Sequence, residues 1–359
     1  MNLSVTPSPA VKKHAAKTIF RVTSGNFLEM YDFMVFGYYA TAIAKTFFPG
    51  SDPYSSLMLT LMTFGAGFLM RPLGAIILGA YIDHHGRRKG LLLTLILMAM
   101  GTLTIALTPG YQTLGAAAPL IILAGRLLQG FSAGVELGGV SVYLSEIAPP
   151  GRKGFYVSWQ SASQQLSVIF AALLGLMLNQ WLDKGQVTDW GWRIPFVVGC
   201  LIVPFLFYIR RMLEETESFK QRKHRPGMID IMRSVASNWA LVVAGMLMVV
   251  TTTVMFYMIT AFTPTFGKTA LMMTDPQSFV VTLLIGISNL FWLPVMGTVS
   301  DRVGRRPLLI IFTLLTMLTA WPVLKWMVAA PSFSHLLTAE LWLSFLYASY
   351  NGSMVVYLA

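Results

Sequence analysis

Ionisable side chains inside long apolar runs are the first residues of this sequence that can do chemistry. Glu29 and Asp32 lie three residues apart, about one helical turn, so both can address one face. Asp32 falls some 14 residues into its run, about 21 Å of helical rise. Arg126 sits some nine residues into a run of the opposite direction, about 14 Å. The two can therefore meet near the middle of a bilayer. A charge at that depth costs at least about 2.5–3.5 kcal/mol on insertion scales, so such groups face cavities and mark ion or substrate paths. A permanent structural ion pair is the other reading of the same spacing.

Arg71 stands twelve residues before Asp83, about 18 Å from the end of its run and too deep for easy snorkelling. Its guanidinium either binds a carboxylate bidentately, which suits a polyanion, or bridges to a nearby carboxylate such as Glu29. Glu136, ten residues after Arg126, is either a second titrating carboxylate or a tie between helices, and Glu29 is open to the same two readings. Asn26, Tyr31, Gln129, Gln160, Gln164, Tyr350 and Asn351 add neutral donors. Each is a ligand or an interhelical hydrogen bond.

The elements that must hold these residues are membrane helices. In 359 residues, 55% are hydrophobic and only 11% charged, against roughly a quarter charged in soluble proteins; the mean hydropathy is +0.64. Ten apolar runs long enough to cross a bilayer occupy residues 18–48, 57–82, 90–108, 117–147, 154–182, 192–213, 236–266, 277–299, 307–328 and 335–359. Residues 1–17 lack the pattern of a cleaved signal peptide, so the first run is expected to remain as a helix.

With the N-terminus in the cytoplasm, nineteen of the 26 Lys and Arg residues fall on the inner side, among them Lys12, Lys13, Arg87, Arg88, Lys89, Arg152, Lys153, Arg210, Arg211, Arg302, Arg305 and Arg306. That asymmetry orients the chain. It also accounts for the net charge of +11 without nucleic acid, whose binding needs basic residues gathered on one solvated face.

A hydrophilic stretch at 214–235 separates a six-run half at 1–213 from a four-run half at 236–359. It reads as a cytoplasmic linker that can include a surface helix. The halves share a motif. Gly79-x-x-x-Asp83-x-x-Gly86-Arg87-Arg88 follows the second run and Gly297-x-x-x-Asp301-x-x-Gly304-Arg305-Arg306 the eighth. Its glycines allow close helix approach, its Asp accepts hydrogen bonds from helix N-termini and arginines, and its arginines stay at the surface. A cytoplasmic gate of Gly79, Asp83, Gly86, Arg87, Arg88, Asp301 and Arg305, with Glu146 and Arg152, is expected. The unequal halves suggest a fragment without two final helices.

The doubled turn is the loop signature of the major facilitator superfamily. The stretches Gly25-Asn-Phe-Leu-Glu29-Met-Tyr-Asp32, Arg71-Pro-Leu-Gly74, Arg126-Leu-Leu-Gln129-Gly130 through Glu136-Leu-Gly-Gly139, Ser145-Glu-Ile-Ala-Pro-Pro-Gly-Arg152 and Trp190-Gly-Trp-Arg193 resemble its metabolite–proton symporters, and within them the branch that carries citrate. Many family members have Gly-Gly-Glu where this chain has Gly134-Val135-Glu136.

The resemblance implies an all-α integral membrane protein with two six-helix halves in the full fold. It implies proton-coupled symport of citrate or another carboxylate, such as tricarballylate, into a bacterial cell by alternating access. It also implies Asp32 as proton acceptor with Arg126 as partner. An arginine beside a carboxylate favours the charged form and its withdrawal the protonated one, so protonation would follow conformation. The expected partners are substrate, protons and membrane lipid. The expected setting is a monomer in the inner membrane, with the proton as coupling ion and no cofactor. A non-transporting receptor on the same scaffold is the rival from another class.

Other chemistries find little support. Gly267-Lys268-Thr269 has Phe262 where a phosphate-binding loop needs Gly. His84 and His85 lie in the gate turn while His14, His224 and His335 are isolated, and the lone Cys200 cannot form an intramolecular disulfide. No nucleophile–base pair or metal set stands out, so an enzyme is not expected.

Overall fold

The computed structural model describes residues 9–50, 52–213, 228–262, 266–267 and 271–359. Most of the expected linker, 214–227, lies outside them. In hydrocarbon every backbone amide must be satisfied within its own segment, and the described residues answer with helices and no strands. The helices used below are α1 (Pro9–Tyr38), α2 (Ala40–Phe47), α3 (Pro53–Leu69), α4 (Arg71–His85), α5 (Arg87–Leu107), α6 (Ala117–Ile147), α7 (Lys153–Trp181), α8 (Arg193–Arg211), α9 (Met228–Ser237), α10 (Trp239–Tyr257), α11 (Asp275–Val303), α12 (Arg305–Ala329) and α13 (Phe333–Leu358).

Among the described residues, eight helical segments are long and apolar enough to cross a membrane, with α3 and α4 counted as one. The first and last of the ten expected runs fall in α1 and α13, helical over 30 and 26 residues but rich in polar side chains. The second run is not one unbroken helix. It is interrupted at Met70, where Pro72 in the next turn has no amide hydrogen to donate. Leu61, Met62, Leu69, Leu241, Leu247 and Trp321 are exposed, as lipid-facing residues are.

The repeat seen in sequence is a repeat of geometry. Gly86 (φ 105°) ends α4 with its amide on the Ile82 carbonyl, and Gly304 (φ 95°) ends α11 with its amide on the Ser300 carbonyl. Both backbones are left-handed, where a side chain is strained. The first glycines of the two motifs differ. A Cβ at Gly297 would stand 2.5 Å from the Gly154 carbonyl, so α11 and α7 cross backbone to backbone, whereas a Cβ at Gly79 would meet nothing within 4 Å. The expected close approach at Gly79 is therefore corrected: the tight contacts of α3 and α4 are with α6, through Gly74, Gly130 and Gly134.

Candidate functional site

The deepest polar cluster joins α1, α5 and α6. Asp32 is fully buried and accepts from the Thr102 hydroxyl and, at 3.2 Å, from Gln129 Nε2. Gln129 Oε1 in turn accepts from an Arg126 guanidinium nitrogen at 2.7 Å. Asp32 and Arg126 thus share a neighbourhood, but no ion pair within 4.0 Å joins them. The expected direct pairing is corrected. Arg126 and Gln129 sit one turn apart on α6, and the amide occupies the space between guanidinium and carboxylate. The rest of the Arg126 guanidinium lies against the faces of Phe33, Phe36 and Phe64, with centroids 4.5, 4.5 and 4.8 Å away, so aromatic quadrupoles replace part of its lost hydration.

Arg71 opens the first turn of α4, packs on Phe33 and Phe68, and reaches Glu29 at 3.4 Å. Glu29 is nearly fully buried while the Arg71 side chain keeps 22% exposure. The exposed part borders a cavity of about 290 Å³ lined by helices from before and after residues 214–227, with Gln160, Gln164, Thr252, Tyr257 and Asn351 among its polar residues. Its further lining by Ser141 and Val142 of α6 and Val355 and Leu358 of α13 carries it toward the ends of those helices expected in the cytoplasm. Arg71 therefore fits both alternatives at once, holding Glu29 and fronting the cavity.

The neutral candidates separate. Gln160, Gln164 and Asn351 line the cavity, and Asn351 also bonds Thr252 and the Tyr347 hydroxyl. Asn26 is not on the cavity: it donates to the Gln160 carbonyl and to Ser163 across the α1–α7 contact. Tyr31 donates to the Pro195 carbonyl at 2.7 Å and Tyr350 to the Met248 carbonyl at 3.3 Å. These three are corrected from ligands to interhelical hydrogen bonds, since a hydroxyl or amide tied to a buried carbonyl is spent on packing. Gln129 belongs to the Asp32 cluster.

Glu136 does not join the deep cluster. Its carboxylate forms a buried fork with Arg210, which also donates to the Leu91 carbonyl at 2.6 Å and the Val22 carbonyl at 3.2 Å; Thr94 adds a hydrogen bond to Glu136 at 2.8 Å. Four helices, α1, α5, α6 and α8, meet on these two side chains, the geometry of a tie. A Cβ at Gly25 would strike the guanidinium at 2.1 Å. Arg210, counted by sequence among the cations of the inner side, is fully buried. Its neighbour Arg211 hid it in a basic pair at a helix end. The one available signal was Glu136 itself, a buried carboxylate that had to find a cation.

At the expected cytoplasmic ends, Arg87 pairs with Glu146 at 3.2 Å. Asp301 accepts from the amides of Gly154 at 2.7 Å and Phe155 at 3.1 Å, with Arg305 at 4.0 Å. The second copy of the motif thus caps the N-terminus of α7 from α11, far along the chain, and its negative charge meets the positive end of that helix. Asp83 and Arg88 have interactions of their own. Arg152 lies just before α7, as its N-cap residue. Thr102, Tyr257 and Arg210 are the site residues that sequence reasoning missed; a threonine and a tyrosine in apolar runs carry no signal of depth or direction.

Residues 17–226 match the model of the sugar (and other) transporter family. The chain is 59% identical over 337 residues to the citrate-proton symporter of Salmonella typhi, covering 94% of this chain and 78% of that one. It is 60% identical over 337 residues to the citrate-proton symporter of Klebsiella pneumoniae, covering 94% and 76%. Among solved structures, the xylose transporter XylE from E. coli in a partially occluded inward-open conformation superposes with a TM-score of 0.78 at 16% identity, over 96% of this chain and 87% of that one. That likeness is one of fold. With a family match over more than half its length, relatives this similar and the doubled glycine turn, the chain belongs to the sugar (and other) transporter family of the major facilitator superfamily.

Proposed function

We propose that this protein is a proton-coupled citrate symporter of the bacterial inner membrane, working by alternating access between halves 1–213 and 236–359 with its N-terminus in the cytoplasm. In this reading α1 and α13 also cross the bilayer, making ten spans, and the protein acts as a monomer among lipids. The observation that carries the substrate is the 59–60% identity over 94% of the chain to two proteins named for it.

The geometry fits the chemistry. Citrate is a polyanion, and Arg71 offers it a half-free guanidinium at the cavity wall beside amides of Gln160, Gln164 and Asn351. A carboxylate arriving there competes with Glu29 for Arg71, so substrate binding unseats one buried anion. Asp32, in the cluster behind it, takes the coupled proton. When Asp32 is neutral the attraction on Arg126 weakens, and the packing between α1 and α6 is free to change. The Asp301 cap on α7 and the Arg87–Glu146 pair are the contacts that must break and re-form on the cytoplasmic side.

The test is labelled citrate uptake into proteoliposomes with an imposed proton gradient, competed by a panel of carboxylates including tricarballylate. Saturable, gradient-dependent uptake is expected, and Asp32→Asn should abolish accumulation while leaving exchange of internal for external citrate. Binding without uptake would favour a receptor on the same fold. Accumulation by Asp32→Asn equal to the parent would remove Asp32 as the proton carrier.

A further inference from the structure

We infer that Gln129 is a positioning residue that fixes which oxygen of Asp32 takes the proton: Oδ1, on the side facing Gly199. The inference rests on the proton-carrying reading of Asp32 above and goes beyond it to an atom and a direction of approach.

The argument is one of donors and acceptors. A guanidinium has only donors, so the Gln129 atom 2.7 Å from the Arg126 nitrogen must be the amide oxygen. The other end of Gln129 is then the NH2 group, which has only donors as well. It lies 3.2 Å from Asp32 Oδ2 and 3.2 Å from Thr102 Oγ1. Thr102 also directs its hydroxyl at Oδ2. Oδ2 therefore receives one hydrogen bond whose polarity is set from Arg126 outward, that of Gln129, and a second from the Thr102 hydroxyl as it stands, and with both in place it keeps the character of a carbonyl oxygen when the acid is neutral.

Oδ1 receives none from the described residues, although it is buried. What faces it is bare backbone. A Cβ built on Gly199 of α8 would stand 3.3 Å from Oδ1 and 3.2 Å from a Tyr31 ring carbon, so the absent side chain keeps that side of the buried oxygen clear of a methyl contact. A proton on Oδ1 needs no rearrangement of Arg126, Gln129 or Thr102. The rival position, Oδ2, needs Thr102 to turn its hydroxyl to the Met98 carbonyl 3.0 Å away and to accept from Asp32 instead. The charged or titratable groups acting on Asp32 are Arg126 from α6, Cys200 from α8 and Tyr31 on its own helix. Only Arg126 enters the polarity argument.

Infrared difference spectra of the purified protein between acid and alkaline pH test this directly. A carboxylic C=O band that disappears in Asp32→Asn identifies the neutral Asp32. If the proton is on Oδ1, the C=O is Oδ2, and removing either donor raises its stretching frequency: Gln129→Leu and Thr102→Val should each shift the band upward. Gln129→Met, closer in shape, serves if the leucine variant fails to fold. A band that stays in place in either variant overturns the inference, because a proton on Oδ2 leaves Oδ1 as the carbonyl, free of both donors. Absence of any band lost in Asp32→Asn overturns the proton-carrying reading itself, and this inference with it.

The side of approach is tested separately. Gly199→Ala places its methyl over Oδ1 with a shift of a few tenths of an ångström in its neighbours. It should slow gradient-driven citrate uptake while citrate exchange persists. Uptake at the parent rate in a folded Gly199→Ala protein would refute approach from that side.

Discussion

Replacing Arg210 by methionine removes one half of a buried ion pair and leaves the other half in place. In the parent the Arg210 side chain is fully buried and the Glu136 side chain 4% exposed. Both Glu136 oxygens bond the guanidinium, and the Thr94 hydroxyl bonds one of them. Arg210→Met strands the Glu136 charge with Thr94 as its remaining donor. Breaking such a pair costs about 3–5 kcal/mol. The Leu91 and Val22 carbonyls lose a donor too, but each remains an acceptor in its own helix, so their share is small.

The double variant Arg210→Met/Glu136→Met has no stranded charge, and a buried pair replaced by apolar side chains is often close to neutral. It should recover about 2–3 kcal/mol of the loss. Equilibrium unfolding in mixed micelles measures all the corners of this cycle. Citrate binding per folded molecule should hardly change, because neither residue lines the cavity. The tie is refuted if Arg210→Met lies within about 1 kcal/mol of the parent, or if the double variant loses as much as the two single variants together.

Arg71→Lys keeps the charge and loses the fork, so citrate affinity measured by calorimetry should weaken by about 1–3 kcal/mol, with Arg71→Gln worse; normal affinity in a stable glutamine variant would take Arg71 out of the site. Asp301→Ala removes the cap on α7 and should favour the cytoplasm-open state, seen as faster labelling of a cysteine at Ser158, beside Gly297; unchanged labelling would count against the latch. Asp52 caps α3, and the Ser55 hydroxyl together with the Ser55 and Tyr54 amides holds its carboxyl below the ordinary carboxylate range. Its cap is therefore complete above the unfolded-state value and is lost as pH falls through the lowered one. Protection of the Ser55 amide from exchange, taken relative to its intrinsic rate at each pH, should fall in acid in the parent and be low at every pH in Asp52→Ala.

Composition, the spacing of apolar runs and the placement of cations determined that this chain is a helical membrane protein, because in lipid those quantities set both secondary structure and topology. The doubled glycine turn was equally legible, since Gly86 and Gly304 are demanded by local backbone conformation. Depth along one helix also follows from counting residues, and it placed Asp32, Arg126, Glu29 and Arg71 near one another. Counting does not say how far one helix slides past its neighbour. Arg210 stands one residue from the end of α8, yet it meets Glu136, eleven residues from the end of α6, because α6 at 31 residues is longer than a bilayer requires. The azimuth of a side chain is likewise a property of packing. Gln129 came to lie between Arg126 and Asp32, and Tyr31 and Asn26 turned from the cavity to a neighbouring backbone, because in a close-packed interior the partner helix decides which polar group faces which.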